Sequence, residues 1–393
     1  MNREHFIDSM RRPNRFKKLR LDSVPSPCYI IDELAIEENC RILYKVQKRT
    51  GCRILLALKG FAVFSLFPIV SKYLHGTCAS GLHEARLGKE EFGKEVHVFA
   101  PAYDDHEFDQ LLKISDHIVF NSLPQWERLR PLVEKNPRKI SCGIRINPEY
   151  SEISTDLWNP CSRYSRFGVK AEDLESVPEG IEGLHFHAMS QQDSDTLERL
   201  IAVIEKKFGD QLSQVKWVNF GGGHLVTSPG YDIDRLCRVI TDFRKKHGVD
   251  VYMEPGEAVA LNAGILLATV LEIVRNEVEI AILDVSPWAH MQDILTTSYR
   301  PEVIGAGEPN QYKHMYRLAS RSCLSGDIIG DYSFKKPLQR GSKIMFFDNA
   351  SYSVVSNNVF NGLSLPAIAI LTESQEIRIV HQSGYRDYKS RLS

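Results

Sequence analysis

Short apolar runs recur along the first two thirds of the chain, each closed by small or polar residues. They are ILLALKG (54–60), GTCAS (76–80), VHVFAP (96–101), HIVFNS (117–122), ISCGIRINP (140–148), GLHFHA (183–188), KWVNFGGG (216–223) and VDVYMEPG (249–256). Runs of this kind read as strands buried on both faces. The stretches between them, such as LHEARLGKEEFG (82–93) and SDTLERLIAVIEKKFG (194–209), have helical composition. In the second, Leu197, Leu200, Ile201 and Ile204 recur three and four apart with charges on the opposite side, the mark of an amphipathic helix. Eight strands alternating with helices over about 200 residues predict a (β/α)8 barrel.

From about residue 265 the pattern changes. LLATVLEIV, VEIAILDVS, GSKIMFFDN and PAIAILTE are separated by turns rather than helices, which predicts a C-terminal, mostly antiparallel β domain over residues 266–393. The barrel then occupies 26–265, although the early strand SPCYIID (26–32) is also suited to pair with the β domain. Residues 1–25 read as a polar basic leader.

The residues with chemical potential gather where the strands of such a barrel end, and that end carries the active site of the fold. Lys59 closes the first run, Arg145 the fifth, His185 and His187 the sixth, Gly221–Gly223 the seventh and Glu254 the eighth. A lysine ending a buried strand is partly dehydrated, which favours the neutral amine that attacks carbonyls. The plainer reading is that it marks the strand's exit to water. Three glycines let backbone N–H groups converge on an anion, most often phosphate, though alone they are more often a tight turn. In a barrel, phosphate commonly sits after the seventh and eighth strands. A phosphate facing an amine points to pyridoxal 5′-phosphate held as a Schiff base on Lys59. Glu254 is then placed to pair with the pyridine nitrogen and His187 to lie against the ring. One of His185 and His187 is expected to be an ordinary hydrogen-bonded core histidine, because positions i and i+2 share a face without touching. In the β domain, Cys323 of SCLSGD (322–327) is either an inert buried thiol or an acid that protonates a carbanion. Tyr352 of DNASYS (348–353) either donates to a phosphate or packs within a strand.

Charge narrows the partners. A formal net charge of −1 gives no global field for nucleic acid or an anionic membrane. No apolar run reaches the ~18 residues of a membrane span, and the N-terminus lacks a signal peptide's apolar core. The eight cysteines show no C-x-x-C spacing, so neither a metal site nor a disulfide framework is expected, and a reducing cytoplasm fits. Arg11, Arg12, Arg15, Lys17, Lys18 and Arg20 form a basic run that reads as a solvated leader rather than a binding site.

Taken together, ALKGFA (57–62), GTCASGLHEARLG (76–88), FNSLPQ (120–125), GIRINPEYSE (143–152), SRFGV (165–169), GLHFH, NFGGGH, EPGEAV (254–259), AHMQDIL (289–295), SCLSGD and FNGLSLP (360–366) carry a resemblance. From about residue 24 to 370 the chain resembles the fold-type III pyridoxal-phosphate decarboxylases, an alanine-racemase-like barrel followed by a β domain. Within them it is most similar to the carboxynorspermidine/carboxyspermidine decarboxylase family. The resemblance implies that Lys59 is the Schiff-base lysine, His187 the ring-stacking residue, Arg145 an arginine behind the cofactor and Glu254 the pyridine-nitrogen partner. It puts Gly221, Gly222 and Gly223 on the phosphate loop, with Ser190 and Tyr352 as further phosphate contacts. Cys323 matches a catalytic cysteine that reaches a neighbouring subunit, which implies a homodimer with shared sites. Glu257, His290, Asp293 and Asp327 fall at substrate-binding positions.

Two departures stand out. Ornithine and diaminopimelate enzymes of this group usually read E-P-G-R where this chain has EPGE, so Glu257 stands in place of an arginine. That exchange suits a ligand with protonated nitrogens. Carboxynorspermidine enzymes share it, but they usually show Cys-Glu where this chain has Ser190-Gln191. The expected activity is decarboxylation of a 3-amino-3-carboxypropyl arm on a polyamine, giving norspermidine or spermidine. The alternatives are the same arm on another acceptor, as in aminopropylated microcin C-type products, an amino-acid racemase, and a catalytically inactive regulator.

Overall fold

The structure, a computed structural model, describes residues 13–297 and 299–393. The chain divides into two compact units, residues 37–259 and residues up to 36 together with 260–393. The first strand, β1 (Cys28–Asp32), is followed by eight that close on one another: β2 (Arg53–Ala57), β3 (Gly76–Ala79), β4 (Glu95–Phe99), β5 (His117–Phe120), β6 (Ser141–Arg145), β7 (Ile181–His185), β8 (Trp217–Asn219) and β9 (Asp250–Met253). Every neighbouring pair is parallel, and β9 returns to β2 with Arg53 opposite Tyr252. The eight predicted runs are the eight barrel strands.

Helices cover the strands as their periodicity requires. Ser194–Leu212 buries Leu197, Leu200, Ile201 and Ile204, each contributing roughly 1.5–3 kcal/mol of transfer free energy. Its start is set by Asp193, whose carboxylate accepts the Ser194 N–H at 2.6 Å. Ile233–His247 ends at Gly248 in the left-handed conformation, with four basic residues in its last turn. One crossover departs from the alternation. Between β6 and β7 the chain runs as a long loop broken only by the 3₁₀ turn Ala171–Asp173, because SEISTDLWNPCSRYSRFG (151–168) is rich in turn formers and lacks a helical stripe.

The second unit is an eight-stranded sheet that adds β10 (Gly264–Asn276), β11 (Val278–Leu283), β12 (His314–Ser320), β13 (Ile328–Phe334), β14 (Lys343–Phe347), β15 (Ala367–Leu371) and β16 (Ile377–His381). Five of its seven pairings are antiparallel; β1 with β15 and β11 with β12 are parallel. The early strand belongs here, paired with β10 on one side and β15 on the other.

The solvated leader is corrected over the part that is described. Phe16 is fully buried, edge-on to Phe347 at 6.4 Å between ring centroids. The Arg15 Nε lies 2.7 Å from the buried Asp32 carboxylate, and its guanidinium also donates to the Thr372 carbonyl. A buried carboxylate needs such a partner, and that requirement ties the segment down. Arg11 and Arg12 lie outside the described residues. All eight cysteines are free thiols, and no helix among the described residues is long and apolar enough to cross a membrane.

Candidate active site

The carboxyl ends of the barrel strands hold a compact set of charged groups. Glu254, one residue beyond β9, donates its N–H to the Gly221 carbonyl at 2.8 Å. Its Oε1 accepts from Asn219 Nδ2 at 2.7 Å, and its Oε2 lies 3.4 Å from His185 Nε2. Burial alone would raise this carboxyl, but His185 and the Asn219 amide outweigh it and bring it down to about 2. Glu254 is therefore an anion at any working pH. His185 is buried, and burial pushes it below the ordinary histidine range against the pull of Glu254. It thus faces Glu254 inside the site, not a hydrogen-bonded niche in the core.

Arg145, the last residue of β6, is 4 % exposed. Its guanidinium stands 4.6 Å from the Phe99 ring centroid and 4.4 Å from that of Phe167, and it donates to the His187 carbonyl at 3.2 Å. Burial draws its pKa down to about 10, which leaves it cationic. His187 is pinned through Nδ1, 3.1 Å from both the N–H and the carbonyl of Gly222. Burial, with Lys59 and Arg145 close by, holds it well below the usual histidine range, so it presents a neutral ring.

Lys59 lies two residues past β2, on a turn closed by Gly60 N–H and Phe61 N–H to the Ala57 carbonyl. A side chain on Gly60 would come within 2.9 Å of Gly256 Cα, so the loops after β2 and β9 touch backbone to backbone. That contact sets Lys59 beside the Glu254 strand end. The lysine side chain is exposed, not dehydrated as its position at the end of a buried strand predicts, because this turn carries it clear of the strand.

The glycine loop also differs from its sequence expectation. Gly221 N–H donates to Asn219 Oδ1 at 2.9 Å and Gly222 N–H to His187 Nδ1, so these two amides serve the site's own side chains rather than an anion. Gly223 donates to no protein group among the described residues. At φ +88°, with its missing Cβ 2.0 Å from the Met189 carbonyl and 2.8 Å from the Ser190 N–H, it lets the loop after β7 close on the loop after β8. Ser190 is thereby placed beside it. The neighbouring Gln191, at φ +53°, donates from Nε2 to Glu257 Oε1 at 2.7 Å. Glu257 opens the short helix Glu257–Ala260.

In the other unit, Cys323 is exposed, and Asn361 Oδ1 accepts its N–H at 2.8 Å; the inert buried thiol is ruled out. Tyr352 is 37 % exposed at φ +43° before the turn Ser353–Ser356, so it is not packed within a strand. His290 and Asp327 are both buried and bonded within their own unit. Asp327 is 2 % exposed and accepts from Ser286 Oγ, Ser322 Oγ and Trp288 N–H. His290 is 1 % exposed, and its Nδ1 accepts the Ser286 N–H at 3.2 Å. Both brace the loop that presents Cys323. Asp293 starts the helix Asp293–Thr297 and is exposed.

Two groups escaped the sequence reading: Asn219, which bridges Glu254 and Gly221, and the pair Phe99 and Phe167, which encloses Arg145. The asparagine two residues before the triplet, in WVNFGGG, was the available signal: a polar side chain at the end of an otherwise apolar strand.

The family model described as pyridoxal-dependent decarboxylase, C-terminal sheet domain, matches residues 28–350. The carboxynorspermidine/carboxyspermidine decarboxylase of Campylobacter jejuni is 41% identical over 94% of this chain and 99% of its own length. The carboxyaminopropylagmatine decarboxylase of Synechocystis is 44% identical over 96% of this chain and 98% of its own. Among solved structures, the C. jejuni carboxynorspermidine decarboxylase in complex with norspermidine superposes with a TM-score of 0.87 at 40% identity, covering 94% of this chain and all of that one.

Proposed function

This chain belongs to the pyridoxal-dependent decarboxylases, in the carboxynorspermidine/carboxyspermidine decarboxylase family, and on that footing we propose that it decarboxylates carboxynorspermidine or carboxyspermidine to the free polyamine. The racemase alternative is set aside by that membership. The observation that carries the substrate is the Gln191–Glu257 hydrogen bond. It fixes a carboxylate where relatives acting on diaminopimelate usually carry an arginine, at the barrel end that holds Lys59 and Glu254. A carboxylate there attracts a protonated distal amine and repels a distal carboxylate.

Pyridoxal phosphate fits these residues. Glu254 is ionised and its carboxylate is fixed by two partners, which suits a protonated ring nitrogen. Gly223 and Ser190 come together at a backbone approach that a Cβ would fill, and Gly223 keeps an N–H for a phosphate oxygen. When bound, the cofactor supplies an electron sink for the pair left on the α-carbon as CO2 departs. Lys59 Nζ would hold the cofactor. The Glu254 carboxylate keeps the ring nitrogen's proton in place. His187 offers a flat neutral face, and Arg145 adds a fixed positive charge behind it. The Cys323 thiol returns a proton to the α-carbon. We assign this thiol to the barrel of a second copy, in a homodimer with shared sites; its exposure beside exposed Leu324 and Trp288 supports that role. Tyr352 is assigned to the phosphate on the same reasoning.

A second substrate reading is favoured by Gln191 itself. Where carboxynorspermidine enzymes usually place a glutamate, this chain has a neutral amide bonded to Glu257. A planar amide–carboxylate pair suits a planar guanidinium better than a compact ammonium. Carboxyaminopropylagmatine, the substrate in the name of the Synechocystis relative, ends in such a group.

Both readings are tested by CO2 release from carboxynorspermidine, carboxyspermidine, carboxyaminopropylagmatine, diaminopimelate, ornithine and lysine. The carboxylated polyamines, with or without the guanidinium, should lead in kcat/KM. A close ion pair contributes on the order of 1–3 kcal/mol, so Glu257→Arg should shrink the preference over diaminopimelate by roughly ten- to a hundredfold. Gln191→Glu should shift the ratio from guanidinium toward ammonium ends. Equal losses on all substrates in Glu257→Arg would mean that Glu257 does not read the distal charge.

A further inference from the structure

The opposite mouth of the barrel carries a cluster that the decarboxylase chemistry does not use. Along β4, Glu95, His97 and Phe99 alternate on one face. Phe99 reaches the active end beside Arg145 and His185, His97 lies one layer deeper, and Glu95 stands at the amino-terminal rim. On the neighbouring strand His117 is the register partner of His97, and the two rings lie flat together with centroids 3.9 Å apart and planes at 9°. His97 Nε2 is 3.1 Å from Glu95 Oε2, and His75 Nε2 is 3.0 Å from Glu95 Oε1. His97 is 1 % and His117 9 % exposed, yet Nδ1 of each ring is buried with no hydrogen-bond partner among the described residues. An unpaired buried nitrogen is unfavourable by about 1–3 kcal/mol, and two side by side require an explanation.

One donor atom from each of Glu95, His97 and His117 lies within 4.8 Å of the other two. Bonds of about 2.0–2.1 Å from imidazole nitrogen and carboxylate oxygen to one ion fall within such a span. We propose that Glu95, His97 and His117 form a binding site for a divalent transition-metal ion of the zinc class at the amino-terminal mouth of the barrel. Two imidazoles and a carboxylate favour zinc, cobalt or nickel over magnesium or calcium, which prefer all-oxygen shells. Glu95 and His75 are about a third exposed, which leaves a path for the ion and for a water ligand. Rings stacked flat direct their lone pairs in parallel, so loading requires His117 to turn out of the stack. The other facing groups are Tyr252, 4.7 Å from His97 and 5.3 Å from His117 between ring centroids, and the Arg53–Asp250 ion pair at 3.2 Å, whose charges offset. The sequence offers no hint of this site, because its ligands stand two and twenty residues apart on two strands rather than in a compact metal-binding motif.

The test is titration of the chelator-treated, cofactor-loaded enzyme with Zn²⁺ by calorimetry and with Co²⁺ by visible absorption. One ion per chain is expected, with the ligand-field bands of four- or five-coordinate cobalt and a rise of a few degrees in melting temperature under zinc. Glu95→Gln and His117→Phe, which retain size and ring stacking, should each weaken binding at least tenfold. No binding, binding to surface histidines that both variants retain, or six-coordinate cobalt bands in the parent would overturn the proposal. The cobalt spectrum of the parent decides the matter even if a variant fails to fold.

Discussion

Asn219 is fully buried and holds two groups at once, Glu254 Oε1 through its amide N–H and the Gly221 N–H through its carbonyl. Asn219→Ala removes a charge-assisted bond of about 2 kcal/mol and leaves a buried N–H unpaired at about 1–2 kcal/mol. Because the two effects share neighbours they do not add fully, and a loss of about 3 kcal/mol in unfolding free energy is expected. Asn219→Asp is the sharper probe. It keeps an acceptor for Gly221 but sets a second carboxylate against Glu254, and two carboxylates at that distance hold one proton between them. A carboxyl whose proton is held more tightly in the folded state than in the unfolded one leaves stability unharmed at low pH and penalises the fold as pH rises. Asn219→Asp should therefore come near the parent at about pH 5 and fall furthest behind at about pH 8, while the deficit of Asn219→Ala stays flat. Guanidinium unfolding of cofactor-free and loaded protein at three pH values measures this. Equilibrium dialysis should show cofactor affinity about tenfold weaker or worse in Asn219→Ala, since Glu254 loses its orientation. Equal, pH-independent deficits in the two variants, or one below about 0.5 kcal/mol in Asn219→Ala, would show that this side chain only fills space.

Borohydride reduction of the loaded enzyme should fix the cofactor on Lys59 alone, as read by peptide mass, and Lys59→Ala should give no adduct at any other single lysine. Cys323→Ala should retain cofactor absorbance but turn over more slowly or return the proton wrongly, with turnover and product distribution as readouts. Mixing Cys323→Ala with Lys59→Ala chains should restore about a quarter of the sites if copies exchange at random, because each hybrid dimer then has one site with both groups. No recovery under proven exchange would refute shared sites.

The strands were legible because each is a dense apolar run between polar stretches, and that density is what a strand covered on both faces demands. The helix Ser194–Leu212 was legible through its stripe. What the sequence hid depends on closure. His185 and Glu254 are far apart along the chain and meet only because β7, β8 and β9 lie side by side at the end of a closed barrel. Asn219 looked like any polar residue leaving a strand until Gly221 turned back over it. Phe16 read as part of a charged tail because it stands among charged residues, of which Lys17, Lys18 and Arg20 are exposed, and only the pairing of Arg15 with Asp32 shows the segment docked. His290 and Asp327 sit in motifs that matched the family as strings; the Asp327 carboxylate is taken up by Ser286, Ser322 and Trp288 and His290 Nδ1 by the Ser286 N–H, an arrangement that only the folded loop next to Cys323 brings about.

The two departures from the family pattern bear on each other in a way that neither shows alone. Glu257 in place of an arginine reverses a charge; Gln191 in place of a glutamate removes one. Taken singly, the second weakens the case for a cationic substrate. The structure joins them, 66 residues apart, in one hydrogen bond of 2.7 Å. A glutamate at 191 would set two carboxylates against each other, raising one pKa and loosening both side chains unless a substrate cation sat between them. With glutamine the pair is satisfied before substrate arrives: one negative charge, fixed in direction, with the amide oxygen beside it. A positioned single carboxylate loses less entropy on binding and rejects anionic ends as firmly. The exchange thus trades peak attraction for a dication against a preformed, planar acceptor, and the agmatine-type and norspermidine-type substrates are the two whose relative kcat/KM will reveal which advantage the enzyme uses.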